Sequence, residues 1–170
     1  IEALRGEAVA AGDVAALAVL GGVRLVIGVD PPAGAKGDAC GIIVAGRCGD
    51  GGYVVLDDRT VEKLPPDGWA GAVAAAAREW VPPAAEAGLR VQLVNASRNK
   101  VARAEPVAVH YANSRVRHLG CFAKLEDEMC ALSHGGDYAG PGRSPDRADA
   151  LVWAMWALMG GAGEPRVRGV

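Results

Sequence analysis

The chain has 170 residues, 51% of them hydrophobic but only 5% aromatic, 22% charged, and a formal net charge of −2. One domain of this length buries roughly two-thirds of its unfolded surface, and a compact α/β core fits this composition better than disorder does. The slight acidity excludes a uniformly basic nucleic-acid binder, and the longest apolar run, Ala150–Met159, falls well short of the roughly 20 residues of a membrane span.

Residues 1–22 are alanine-rich and read as a linker or a helix leading into the domain. With Ile1 first and no cleavable leader in sight, the chain is expected to be a cytoplasmic piece of a longer protein. The stretch VRLVIGVDPP (23–32) then forms a nearly continuous β-branched run, the pattern of a central strand covered on both faces. It ends in Asp30, and Pro31 and Pro32 have no backbone N–H to offer that carboxylate. A buried strand-end acid needs a cation, a helix N-terminus or a metal ion beside it.

A turn, AGAKGD, leads to a second strand ACGIIVAGR (39–47), and CGDGG joins it to a third, YVVLDDRT (53–60). Strands joined this closely predict an antiparallel meander. Pro65 and Pro66 stop the third strand, Asp67 is a candidate N-cap, and helix formers run to Trp80, where VPPAAEAGL reads as a break. RVQLVNAS (90–97) is a further buried strand. KVARAEPVAVHYANS is helical in two pieces around Pro106, RVRHLG a short edge strand, and FAKLEDEMCAL (122–132) an amphipathic helix whose acids Glu126, Asp127 and Glu128 form its solvated face.

HGGDYAGPGRS is a glycine-rich loop, and neither it nor GAKGD carries the GxxxxGK[ST] spacing of a phosphate cradle. Cys40, Cys48, Cys121 and Cys130 form no CxxC pair, and the histidines form no metal-binding set, so the cysteines are read as free thiols. The last helix, SPDRADALVWAMWALM, places Ser144 at N-cap, Pro145 at N1 and Asp146 in the first turn, with Asp149 three residues on and on the same face. Beyond these acids it is apolar on nearly every side, so it is buried.

A three-stranded meander, a helix, further strands and an acid-led buried helix is the element order of an α/β, RNase H-like (retroviral-integrase-like) fold, a mixed sheet flanked by helices. Convergence of Asp30 and Asp146 would suit a two-metal Mg²⁺ or Mn²⁺ site, since hard oxygen donors hold such ions and two ions can align a phosphodiester for hydrolysis. Between residues 98 and 118, Arg98, Lys100, Arg103, Arg115 and Arg117 face only one acid, Glu105, which marks a basic segment able to grip DNA phosphates.

VIGVDPP…GDACGIIVAG, ASRNKVARAEPVAVHY…RVRHLG, LEDEMC and SPDRADALVWA, in this order, resemble the nuclease domain of the large terminase subunit of tailed phages, most of all its gene-transfer-agent branch. The resemblance spans 23–159 and leaves 160–170 as a tail. It implies an endonuclease that cuts double-stranded DNA during packaging in the bacterial host cytoplasm. It also implies an ATPase motor domain in the full-length chain, and portal and small terminase subunit as partners. Asp30 and Asp146 match two of the family's metal-binding acids, Asp38 an auxiliary acid, and Asp149 neighbours them on the last helix.

The family's second acid, a strand-end glutamate, has no counterpart here, because Trp80 runs straight into the Pro-Pro segment. A strand and helix are therefore expected to be missing from the sequence at Trp80–Val81, and Glu86 and Glu105 are poor substitutes since ligands sit on rigid elements. The competing reading is a non-cutting DNA-binding or docking module of a packaging motor. A sugar-kinase-like ATPase is disfavoured because no second phosphate-binding repeat is present.

Overall fold

In the computed structural model, residues 24–32, 39–95, 101–132, 138–141 and 144–160 are described, the side chains of 101–103 excepted. In chain order the elements are β1 (Arg24–Asp30), β2 (Ala39–Arg47), β3 (Tyr53–Asp58), β4 (Val61–Glu62), α1 (Pro66–Glu86), β5 (Arg90–Asn95), α2 (Val101–Ala112), β6 (Val116–His118), α3 (Ala123–Cys130) and α4 (Asp146–Leu158). The main sheet has the order β5-β1-β2-β3-β6, with β4 attached to the start of β2. β1, β2 and β3 form the expected antiparallel meander, whereas β5 joins β1 and β6 joins β3 in parallel. This is the mixed, helix-flanked sheet of an RNase H-like fold.

The alternation of side chains along β1 divides the core. Leu25, Ile27 and Val29 face α1, where they pack with Ile42, Val44, Val54, Leu56, Ala76, Trp80 and Ala84. Val26 faces the other layer, where Ile43, Ala45, Val55 and Val94 pack under Leu151, Met155 and Leu158 of α4. Both faces of β1 are therefore covered, and both of its edges are paired.

The helix break expected after Trp80 is not found. α1 continues through Pro82 and Pro83 to Glu86. Ala76, Trp80 and Ala84 repeat every four residues and are all fully buried, so the apolar stripe carries the helix one turn past its prolines. The helix then closes on Gly88, whose φ of +74° suits glycine, with the amides of Gly88 and Leu89 donating to the carbonyls of Ala85 and Ala84. β5 follows at once and occupies the free edge of β1, so the unpaired edge that argued for a missing strand does not exist.

Three smaller expectations also change. α2 runs through Pro106 as one helix instead of two pieces. Neither Asp67 nor Ser144 caps a helix by its side chain, Pro65 and Pro145 holding those positions. Glu126 and Glu128 are buried, leaving Asp127 as the exposed acid of that trio. Glu126 accepts from the Phe122 amide at 3.3 Å and pairs with His118 Nδ1 at 3.1 Å, while Tyr111 Oη meets His118 Nε2 at 2.7 Å. That chain ties α2, β6 and α3 together, and burial raises the Tyr111 pKa. Cys40 and Cys48 are buried free thiols, and Cys121 and Cys130 are exposed. Among the described residues no helix is long and apolar enough to cross a membrane.

Candidate metal centre

Asp30 ends β1 directly opposite Gly41 of β2. Residues facing each other across an antiparallel pair point to the same side, and Gly28, two residues earlier, shares that side too. This is the side on which α4 lies. A Cβ added at Gly28 would overlap the Ala150 carbonyl and come within 3.0 Å of the Ala154 Cβ, and one at Gly41 would overlap the Asp146 carbonyl and come within 3.0 Å of the Ala150 Cβ. Two glycines thus let the helix backbone rest on the sheet, and they set the first turn of α4 beside the end of β1.

The strand end that carries Asp30 and the helix start that carries Asp146 accordingly meet at Gly41, and both acids are buried, at 5% and 8% exposure. Asp146 accepts a 2.6 Å hydrogen bond from Ser144 Oγ. The combined field of the two acids is felt at Cys40, whose thiol is pushed up to about 11 by burial first and then by the charges of Asp30 and Asp146. Asp149, one turn into α4, is equally buried. Asp38 lies outside the described residues.

What sequence reasoning missed is Arg147. The residue is 8% exposed, and its guanidinium donates from Nε to Asp58 Oδ2 at 3.2 Å, from Nη1 to Glu128 Oε1 at 2.9 Å and from Nη2 to Glu62 Oε1 at 2.7 Å. Burial opposes its charge, but the hydrogen bonds to Glu62 and Glu128 and the charge of Asp58 outweigh that, and the guanidinium pKa is raised. Glu128 Oε2 also accepts from the amides of Arg147 and Ala148, at 2.8 and 3.1 Å, and so satisfies two donors at the helix start. Burial raises the Glu128 pKa in spite of these bonds. Hydrogen bonds from Lys124 and Arg147 lower that of Glu62 to about 2. The i+1 position of Arg147 after a candidate ligand was the signal available; its three partners are 19 to 89 residues away in sequence, where no local pattern reaches.

Of the basic segment, the structure describes the side chains of Arg115 and Arg117. Arg98 and Lys100 lie outside the described residues, as does the side chain of Arg103 on α2. Arg115 and Arg117 border or belong to β6, which pairs with the start of β3. That is the end of the sheet opposite Asp30, one strand length or roughly 20 Å away. Arg115 is exposed. Arg117 pairs with Asp50 at 2.8 Å, a carboxylate whose pKa is lowered by the Gly52 amide and then by Arg117. Glu86 and Glu105 are exposed helical residues.

The donor set at Asp30 and Asp146 fits a hard divalent cation: two buried carboxylates at the junction of a strand end and a helix start, where Mg²⁺-type ions are commonly held by one or two carboxylates and keep several waters. A third carboxylate is not supplied by β5, whose residues Arg90–Asn95 include no acid. Among the described residues no group of three or more His, Cys, Asp or Glu side chains is arranged to hold a metal.

Comparison with known proteins gives these features a family context. Residues 27–87 match the model of the terminase RNaseH-like domain, a span that starts within β1 and ends just past α1. No curated protein matches the chain. Among solved structures, the large terminase nuclease of thermophilic phage G20c with bound cobalt is similar at 13% identity and a TM-score of 0.53, over 78% of this chain and 80% of that one. The large terminase of bacteriophage HK97 is similar at 15% identity and a TM-score of 0.50, over 89% of this chain and 43% of that one. The chain therefore has an RNase H-like fold, matches the terminase RNaseH-like domain family over residues 27–87, and resembles the nuclease domains of large terminase subunits.

Proposed function

We propose that this chain is the nuclease domain of a large terminase, of the gene-transfer-agent branch on its motif order, and that it hydrolyses phosphodiesters of double-stranded DNA with Mg²⁺ or Mn²⁺. The observation that carries this reading is the placement of Asp30 and Asp146 on one face at one end of the sheet, buried, with α4 seated on glycines between them. A divalent ion held there would polarise the phosphodiester and supply a nucleophilic hydroxide at neutral pH. Asp30 and Asp146 would hold it, Ser144 would orient the Asp146 carboxylate, and Asp38 and Asp149 would be auxiliary acids of a two-metal arrangement.

DNA would be gripped through phosphates by Arg98, Lys100, Arg103, Arg115 and Arg117, since cutting without sequence preference needs backbone contacts more than base contacts. With Arg115 and Arg117 a strand length from Asp30, they would hold duplex beyond the cut. The full-length protein would add an ATPase motor, with portal and small terminase subunit as partners in the bacterial cytoplasm.

A second reading, a DNA-docking module that does not cut, is favoured by one observation: the strand beside β1 contributes no carboxylate. Nicking of supercoiled plasmid separates the two. Mn²⁺-dependent nicking that EDTA stops and that Asp30→Asn and Asp146→Asn each abolish supports the nuclease; DNA retention without nicking in any divalent metal assigns the docking module.

A further inference from the structure

We propose that Arg147 is a positioning residue: it locks the first turn of α4 so that Asp146 is presented to a divalent cation at the correct spacing from Asp30. The inference rests on the metal reading above and concerns residues that reading does not use.

Arg147 follows Asp146 directly, and its guanidinium joins three separate elements, β3 through Asp58, β4 through Glu62 and α3 through Glu128. A planar fork with five donors can satisfy three carboxylates at fixed angles, whereas an ammonium is a single point charge on a flexible stem. Glu128 completes the lock by taking the backbone amides of Arg147 and Ala148 as well as the guanidinium. The helix start is thus held from the side chain and from the backbone at once. Its inner side is fixed by Gly41, the ladder partner of Asp30. Any slide or rotation of this turn that moved Asp146 away from Asp30 would break these contacts together.

A fold staple alone would not require this placement. Arg59 offers the comparison: it pairs with Glu79 of α1 at 2.9 Å on the other layer. Its loss should lower stability without touching the metal site, whereas the loss of Arg147 should change cation affinity even in molecules that remain folded. Outer contacts that orient metal ligands are commonly worth about 10–100-fold in metal affinity.

The test is Mn²⁺ titration by calorimetry and by electron paramagnetic resonance of the bound ion, with thermal unfolding of each variant recorded in parallel. Arg147→Met and Glu128→Gln, measured in their folded range, should each weaken Mn²⁺ binding about 10-fold or more. Arg147→Lys should recover only part of it, and Arg59→Gln should bind as the parent protein does. Should Arg147→Met fail to fold, Glu62→Ala removes one arm from the solvent-facing side and, with Glu62→Gln, which removes only its charge, should still weaken binding. Parent-like Mn²⁺ affinity in folded Arg147→Met or in Glu62→Ala overturns the proposal, and if Asp146→Asn has meanwhile lost Mn²⁺ the metal reading survives it. If Asp30→Asn and Asp146→Asn both bind Mn²⁺ as the parent does, the metal reading falls and the positioning role with it.

Discussion

Gly41 and Asp146 meet backbone to backbone: the space a Cβ at position 41 would need is taken by the Asp146 carbonyl, and Gly41 is also the residue paired with Asp30. One glycine therefore sets how closely the turn that carries Asp146 approaches the strand pair that carries Asp30, more than a hundred residues away in the chain. Gly41→Ala should force α4 away from the sheet, costing about 1–3 kcal/mol, as overpacking of a tight contact commonly does. It should also weaken Mn²⁺ binding. The control is Gly71→Ala, on an α1 face with open space around it, which should stabilise by about 0.5–1 kcal/mol because alanine is the better helix former. Chemical denaturation of both variants reads the opposite signs, and equal effects would show that Gly41 is not a contact point.

Mn²⁺ should raise the melting temperature of the parent protein, since a ligand that binds only the folded state stabilises by about 2.7 kcal/mol at a hundred times its dissociation constant. Asp30→Asn and Asp146→Asn should each remove most of that rise. Differential scanning fluorimetry with and without EDTA makes the comparison, and a rise that survives both substitutions would place the bound ion elsewhere.

Pro82 is exposed yet interrupts the hydrogen-bond ladder near the end of α1. Replacing it by alanine restores an amide donor at little packing cost, so Pro82→Ala should stabilise by up to about 3 kcal/mol, the difference between these residues in a helix interior. Unchanged stability, read from urea midpoints, would mean that the helix stops near Trp80.

Glu62 titrates at about 2 when folded, against its ordinary value of 4.5, because Lys124 and then Arg147 hydrogen-bond its carboxylate. A depressed folded pKa stabilises above the unfolded value and is lost as pH falls through the folded one. Stability should therefore decline between pH 4.5 and about 2. Glu62→Gln should flatten that decline in urea midpoints taken across the window. The effect will be modest and should shrink in high salt, since the side chain is 42% exposed and solvent screens its charge.

Local pattern determined much of the fold. The bounds of β2 are those read from ACGIIVAGR, the meander follows from strands that lie close together in sequence, and the buried character of α4 follows from apolar residues on nearly every side. The burial of Asp30 and Asp146 was also legible, because a carboxylate at the end of a continuous apolar strand and another at the start of a continuous apolar helix each advertise an unusual environment. Tertiary structure alone decided the rest. VPP after Trp80 carries every local sign of a helix end, and only the burial of Ala84 against the sheet keeps the turn helical, since packing an apolar stripe can outweigh two missing amide donors. Glu126 and Glu128 read as solvated because helical periodicity separates apolar from polar positions but cannot tell a polar position that faces water from one that faces Arg147 or His118. Arg115 and Arg117 follow Asp30 in a chain whose acids and bases cannot be placed from sequence, and β6 sets them at the end of the sheet opposite Asp30. Charge proximity along a chain becomes proximity in space only where the strands turn back together, and that is a property of topology.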